Sequence, residues 1–537
     1  MRSVQAAASL VLAFILFGSV ARSDARDPKQ TRKVDELAPL ADFIEKQGAY
    51  HPDSGFTVFF EHEPTSGEYT GDVDIAASRL HIAKGRPIWS ARQSMPVSTS
   101  VYTESNVHAI SDGSGGWFVA YEATAKTGAH SGDTEVFAQR ISPDGKPLWH
   151  EGEKSVVVAS TEWNEKAPQV VSDGKGGMVV VYTMTTAIGE HAGDADIAAQ
   201  RIDAKGTLLW GDGNGVPVTN STTREEKATA LPTSDGGVLV VFQATPRTGD
   251  RAGVGGIFAQ RLSPEGKRVW NNGEHPSPVS LSAWSEESPR AISDGEDGAF
   301  VVFLQRALTG EHAGDLDLAI QRIQGDGTPA WNQGQSAPVL SDSQALEREP
   351  VLAPDGAGGV IVVFEAEPRT GDRAGNIDVW AQRVDKNGKR MWNEGRPMWV
   401  ATSKWSEKNP QVISDGDGGA FVVFEQHAPR GEHAGDVDLA AQRILADGTL
   451  AWHQGGAALD LANTSMIELN PVLISDGSGG GIVVFEALSR TGEHAGDRDL
   501  LAQRFSAAGV RLWNDGKSPS PVASSRLLER NAHVSRP

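Results

Sequence analysis

The chain has 537 residues, no cysteine, and 70 acidic against 49 basic side chains, for a formal charge of −21. Without cysteine there are no disulfides, thiolate nucleophiles or iron–sulfur ligands. Acidic residues spread through the whole chain repel phosphate backbones, which excludes nucleic acid as a partner and favours solubility.

In chain order, Arg2 precedes an apolar run from Ala6 to Ala21 that ends in Ser19-Val20-Ala21. A cation, a short apolar core and small residues at the cleavage positions make residues 1–21 a secretory signal peptide, too short to anchor in a membrane. No second apolar stretch approaches spanning length. The expectation is a secreted or periplasmic protein, cleaved near Ala21, with no membrane insertion. Residues 22–47 are polar and charged and read as a leader.

From residue 48 to residue 537 one pattern recurs eight times, at a period of 60 or 61 residues. Its arginine returns as Arg79, Arg140, Arg201, Arg261, Arg322, Arg383, Arg443 and Arg504. Its tryptophan returns as Trp89, Trp149, Trp210, Trp270, Trp331, Trp392, Trp452 and Trp513. A fixed period of this size marks stacked supersecondary units, none able to bury its apolar face alone.

The Pro410–Trp452 copy shows the unit. A short extended run, Gln411 to Ser414, ends at Asp415-Gly416-Asp417-Gly418-Gly419, whose glycines supply a tight reversal. Ala420 to Glu425 is apolar, aromatic and β-branched, as in a strand buried on both sides. A long loop leads to Asp438–Ile444, then an Asp447-Gly448 turn and a last strand near Trp452. Four antiparallel strands per copy, without helices, predict an all-β, eight-bladed β-propeller.

A two-residue loop at Asp447-Gly448 would set Arg443 directly opposite Trp452, with the guanidinium over the indole. The same arithmetic holds in every copy except Arg79/Trp89, where an extra residue predicts a bulge. The segment after Leu527 repeats the entry to a blade that never follows, so Asn531–Ser535 should supply the inner strand of the first blade, with Ala49–Pro52 as the alternative for that place. N- and C-terminal segments would then close the ring, giving a monomer without exposed edges.

Alternating strand directions bring the long loops and the inter-blade connections to one face, where ligand specificity should sit. The connections carry Glu104, Glu165, Glu225, Glu286, Glu347, Glu407 and Glu468, preceded in most copies by an aromatic or apolar residue. Tyr102, Trp163, Trp284 and Trp405, with Glu165, Glu286 and Glu407, form the candidate ligand-binding set. Aromatics beside carboxylates suit sugars or cationic groups, although a residue present in nearly every copy equally suits a tie between blades. The long loops carry Asp194/Asp196, Asp315/Asp317, Asp436/Asp438 and Asp497/Asp499, oxygen donors at alternate positions that are candidates for calcium. Their histidines, His130, His191, His312, His433 and His494, could meet at one metal only if the loops folded over the axis.

The unit SDGxGG–VVF–D(I/L)xAQR(I/L)–xDG–W resembles a repeat of exported bacterial proteins regarded as β-propellers, which implies the fold and no activity. Ala199–Trp210 is similar to the tryptophan-docking hairpin of eight-bladed quinoprotein dehydrogenases. It lacks their Ala-Leu and Thr-Gly elements and a cysteine pair, and reads as convergence on the same interlocking problem. The sequence favours a non-enzymatic scaffold binding a protein or glycan ligand through one face. The alternative is a carbohydrate-active hydrolase or lyase, or a metal- or quinone-dependent oxidoreductase, built on that face.

Overall fold

The computed structural model describes residues 55–537 apart from short breaks. These are 65–71, 90–93, 127–130, 186–192, 309–315, 429–434, 453–457, 491–494 and 525–526, and the single positions 99, 160, 162, 220, 307, 336, 342, 344, 372, 402 and 463. The signal peptide and leader read from the sequence lie outside the described residues.

Eight antiparallel sheets follow one another along the chain, seven with four strands and one, the fifth, with three. In that fifth blade the fourth strand is reduced to a single bridge between Ala319 and Val339. Blade 7 is typical: Ser406–Ser414, Ala420–His427, Val437–Ile444 and Leu459–Ala462 pair in sequence order. Its first strand starts earlier than the sequence suggested. Glu407 is therefore within a strand, not on the connection, and the strand shifts register between Lys408 and Gln411. Every blade repeats this bulge, with a left-handed residue at Asn106, Ala167, Lys227, Ser288, Glu349, Asn409, Asn470 or Asn531.

The first strands of consecutive blades touch one another all the way round, so they line the axis. The ring closes as expected. The C-terminal strand Leu527–Ser535 pairs with Gly55–Pro64, and one hydrophobic cluster joins Phe56, Val58 and Phe60 to Ile482, Val484 and Trp513. The alternative inner strand, residues 49–52, lies outside the described residues. Each second strand is almost wholly buried, because its two faces pack against two neighbouring blades.

The third reversal differs from the sequence expectation by one residue. Leu445 and Thr449 close a three-residue loop, with Gly448 at φ +88°, and the Ala451 N–H donates to the Arg443 carbonyl at 2.9 Å. Arginine thus opposes the residue before the tryptophan, since the third loop residue takes the left-handed conformation as in a type I turn with a bulge. In the first copy the extra residue lengthens this turn, between His81 and Arg86, and no strand bulge is needed there.

The one-residue offset frees the indole to leave its own hairpin. Trp149 donates through Nε1 to the Ala204 carbonyl of the next blade at 3.1 Å, and Arg140 donates to the same oxygen at 3.2 Å. Arg201 and Trp210 converge likewise on Pro264, Arg383 and Trp392 on Ala446, and Arg504 and Trp513 on Ile82 across the closure. The guanidinium does not cover its own indole. It lies over the second-strand Phe118, Phe300 or Phe421 at 5.4–5.7 Å and is held by the first aspartate of the SDG turn, as Arg140 is by Asp112 at 2.8 Å. Burial works against the Asp112 charge, but hydrogen bonds from Ser114, Arg140 and Gly116 hold its carboxyl below the usual range.

Candidate functional site

The repeated glutamates sit at the seams between blades. Glu104, Glu165, Glu225, Glu286, Glu347, Glu407 and Glu468 are all buried. Three of them reach back across a seam: Glu104 accepts from the Ile75 N–H of the preceding blade at 3.1 Å, Glu347 from Leu318 at 3.1 Å and Glu286 from Ile257 at 3.4 Å. On the other oxygen they accept serine or threonine hydroxyls four residues earlier, as Glu104 does from Ser100 at 2.7 Å and Glu286 from Ser282 at 2.6 Å. The same hydroxyls accept the N–H of Trp163, Trp284 and Trp405, at 3.0, 3.3 and 2.9 Å. A [Ser/Thr]-x-Trp-x-Glu segment is thus one hydrogen-bonded corner. Trp163, Trp284, Trp405 and Tyr102 are half-buried beside it, and Tyr102 packs on Phe137 at 5.6 Å.

The seams also bring together two groups that the sequence kept apart. The second acid of each long loop begins the third strand and faces the seam glutamate of the next blade. Burial first, and then the neighbouring charge, raise the glutamate carboxyls: Glu104 beside Asp74, Glu225 beside Asp196, Glu347 beside Asp317 and Glu468 beside Asp438. Glu347, Glu468 and Glu165 reach about 7. Glu407 is raised in the same way, by burial and by Asp378. Gly256 breaks the pattern, and Glu286 faces Arg251 there instead.

Nothing in the described residues supports the calcium expectation. Asp194 and Asp436 are paired with Arg247 and Arg490 of the following blades at 3.5 and 3.3 Å. Asp196, Asp317, Asp438, Asp497 and Asp499 lie in or beside third strands, and Asp315 lies outside the described residues. Among the described residues no three acidic or histidine side chains gather as a metal would require. His130, His191, His312, His433 and His494 are outside the described residues. The GDRAG loops, described apart from position 372, bond to themselves, through Gly253 N–H to the Pro246 carbonyl at 2.8 Å and Gly375 N–H to Pro368 at 3.1 Å.

Two groups of functional side chains escaped the sequence reading. The glutamine of AQR is fully buried in seven blades. Its Oε1 accepts both the next arginine N–H and the tryptophan N–H, as Gln200 does from Arg201 and Trp210 at 2.9 Å. Near the axis, Glu61, Glu122, Glu365, Glu425 and Glu486 accept the N–H of the left-handed residue of the neighbouring blade, as Glu365 does from Asn409 at 2.8 Å. Both are legible as the Q of AQR, which seven copies carry, and the E closing VVFE, but within one copy neither differs from a plain strand position.

The axis carries one departure from eightfold symmetry. His108 and His533 lie 4.8 Å apart by ring centroids, beside a cavity of about 540 Å³ lined by Glu61, Asn106, Arg530 and Asn531. Burial and the neighbouring imidazole push His108 down to about 3, so it stays neutral at ordinary pH. His533 is tied to the Ala109 carbonyl at 2.8 Å.

These features define a closed β-propeller with a polar axis. No protein-family model matches the chain, and no curated protein is matched by it. Among solved structures it is similar to a polysaccharide lyase of the PL25 ulvan lyase type bound to its saccharide, at 10% identity and TM-score 0.42, over 74% of this chain and 91% of the other. It is also similar to the β-propeller domain of the Trilobed protease from Pyrococcus furiosus, at 13% identity and TM-score 0.39, over 78% and 98% of the two chains. A xylan β-1,4-xylosidase from Bacillus halodurans matches at 10% identity and TM-score 0.29, over 81% and 95%. Likenesses this distant transfer neither substrate nor mechanism.

Proposed function

We propose that the protein is an exported, monomeric recognition scaffold that binds a protein or glycan through the face carrying the long loops and the inter-blade corners. The observation that carries this reading is the use made of the repeated acids. All seven of these glutamates are buried, and Glu104, Glu286 and Glu347 accept an N–H of the preceding blade, so the recurring acids sit in the seams and serve cohesion. What varies between blades is the loop set on one face, including the substitution of GDRAG for GEHAGD. A rigid ring presenting variable loops is suited to recognition, because the frame contributes little ordering cost on binding.

The test is a binding survey with the chain lacking residues 1–21, against a glycan array and purified exported proteins. The reading expects saturable binding that weakens when Trp163, Trp284 and Trp405 are changed to alanine, with Tm recorded to separate binding from folding. Polysaccharides incubated with the protein should yield no new reducing ends and no unsaturated uronate. Release of either product, lost in a Glu407→Gln variant, would establish the hydrolase or lyase alternative in its place.

A further inference from the structure

The propeller repeats one row of residues in every blade, from the core outward across the second, third and fourth strands. Paired positions read Phe60/Ala76/Pro96, Tyr182/Ala198/Pro217, Phe424/Ala440/Asp460 and Phe485/Leu501/Pro521. The inner residue is a buried aromatic and the outer one is small or medium-sized. Blade 6 alone continues the aromatic row to the rim, as Phe364/Trp380/Trp399, in register across Val360–Glu367, Asp378–Val384 and Met398–Trp399. Ring centroids are 6.4 Å apart from Phe364 to Trp380 and 6.5 Å from Trp380 to Trp399.

This row opens into a rim cavity of about 920 Å³, lined also by Ser341 and Ser343 from the preceding blade and by Asp447 from the next. Trp399 is 52% exposed in it, although a tryptophan at this position adds nothing to the seam. The Trp380 Nε1 is buried and has no hydrogen-bond acceptor among the described residues.

The platform is held rigidly. Arg373, fixed by Asp378, stands over the Trp399 ring at 6.0 Å. The Val400 N–H donates to Val379 at 2.8 Å, and Asn393 donates to the Pro397 carbonyl at 3.0 Å, which fixes the turn entering the strand. An indole locked in place loses little freedom when a ligand stacks on it.

We infer that this rim cavity of blade 6 is a binding site for a neutral oligosaccharide, with a sugar ring stacked on Trp399. The chemistry of the lining selects that class. A pyranose has one face of C–H groups, which suits the indole, and a rim of hydroxyls, which suits the exposed Asn393 and Asp447. An aliphatic ligand would strip water from the Asp447 carboxylate and the Arg396 guanidinium without replacing it. Arg396 and Asp447 oppose each other in sign on the wall, and the chain as a whole is strongly acidic, so an anionic sugar gains nothing from the site. The site borders the face invoked above, through Ser343 of an inter-blade corner and Arg373 of a GDRAG loop, but its anchor, Trp399, is a residue that reading does not use.

The experiment uses the whole chain without residues 1–21, titrated with cello-, xylo-, manno- and laminari-oligosaccharides while tryptophan emission and calorimetric heat are followed. At least one series should bind saturably, with an emission change. Trp399→Ala should weaken it by about tenfold or more, as expected for a central tryptophan anchor. Trp399→Phe should retain part of the affinity. Because Trp399 is half-exposed, Tm should hold in both variants, and Val510→Ala, an equally exposed apolar position on blade 8, serves as an unaffected control. Failure of every saccharide to bind, or unchanged affinity in Trp399→Ala, would overturn the inference. So would a peptide or an apolar dye competing for Trp399 where no saccharide does.

Discussion

At the scale of single residues, the repeated side chains resolve into donors and acceptors that would otherwise be stranded inside the ring. Gln321 shows the point: its Oε1 takes the Arg322 and Trp331 N–H groups at 3.0 and 3.1 Å, and its amide reaches the Trp331 carbonyl at 3.1 Å. Replacement by alanine leaves buried groups unpaired and should cost about 1–3 kcal/mol in thermal or denaturant unfolding. The seam glutamates act in the opposite sense at neutral pH. Their folded carboxyls are raised from 4.5, to about 7 in Glu165, Glu347 and Glu468, so the stability tied to the protonated form is complete below about pH 4.5. It is lost as the pH rises through about 7. Tm should therefore fall between about pH 5 and pH 8, and Glu347→Gln, which cannot ionise, should flatten that slope and raise Tm at the alkaline end. Asp112 limits the gain on the acid side: its lowered carboxyl contributes above its ordinary 3.8 and loses that contribution as the pH falls through its lowered value.

At the scale of the element, the third hairpin joins one blade to the next. A Cβ on Gly206 would stand 3.0 Å from Trp149 Cγ of the preceding blade, and the residue itself is at φ +87°. Gly206→Val combines that overlap with a left-handed conformation foreign to a β-branched side chain. Circular dichroism melting should show a loss of about 2–4 kcal/mol for this variant. The bulged first strand offers the reverse experiment. Asparagine holds the left-handed position in four blades, whereas blade 3 has Ala167 at φ 52°. Ala167→Asn should stabilise by about 0.5–1 kcal/mol, measured as a rise in the chemical-denaturation midpoint.

At the scale of the whole molecule, closure depends on one strand from the far end of the chain. Leu527–Ser535 pairs with Gly55–Pro64, and Asn531 ties the strand to both sides: its N–H donates to Glu486 at 2.9 Å and its amide donates to Glu61 at 2.9 Å. Ending the chain at Arg526 would expose the edge of blade 1 and unseat the contact with blade 8. Such a chain should unfold over a broader, lower range in calorimetry and self-associate in size-exclusion chromatography, as unpaired strand edges do.

The repeat period, the turn glycines and the apolar second strands carried the blade count, the strand order and the closing strand on their own, because each is a local pattern or a match between distant copies. The alternation of apolar residues could not reveal that Arg443 opposes Ala451, since two-residue and three-residue turns ending in the same glycine differ by a single register step. Nor could it show that Trp380 and Trp399 meet at an open cavity, or that an acid of one copy faces the glutamate of the next. Those juxtapositions arise only when neighbouring blades pack, because the groups belong to different strands or different repeats and no sequence spacing records the distance between them.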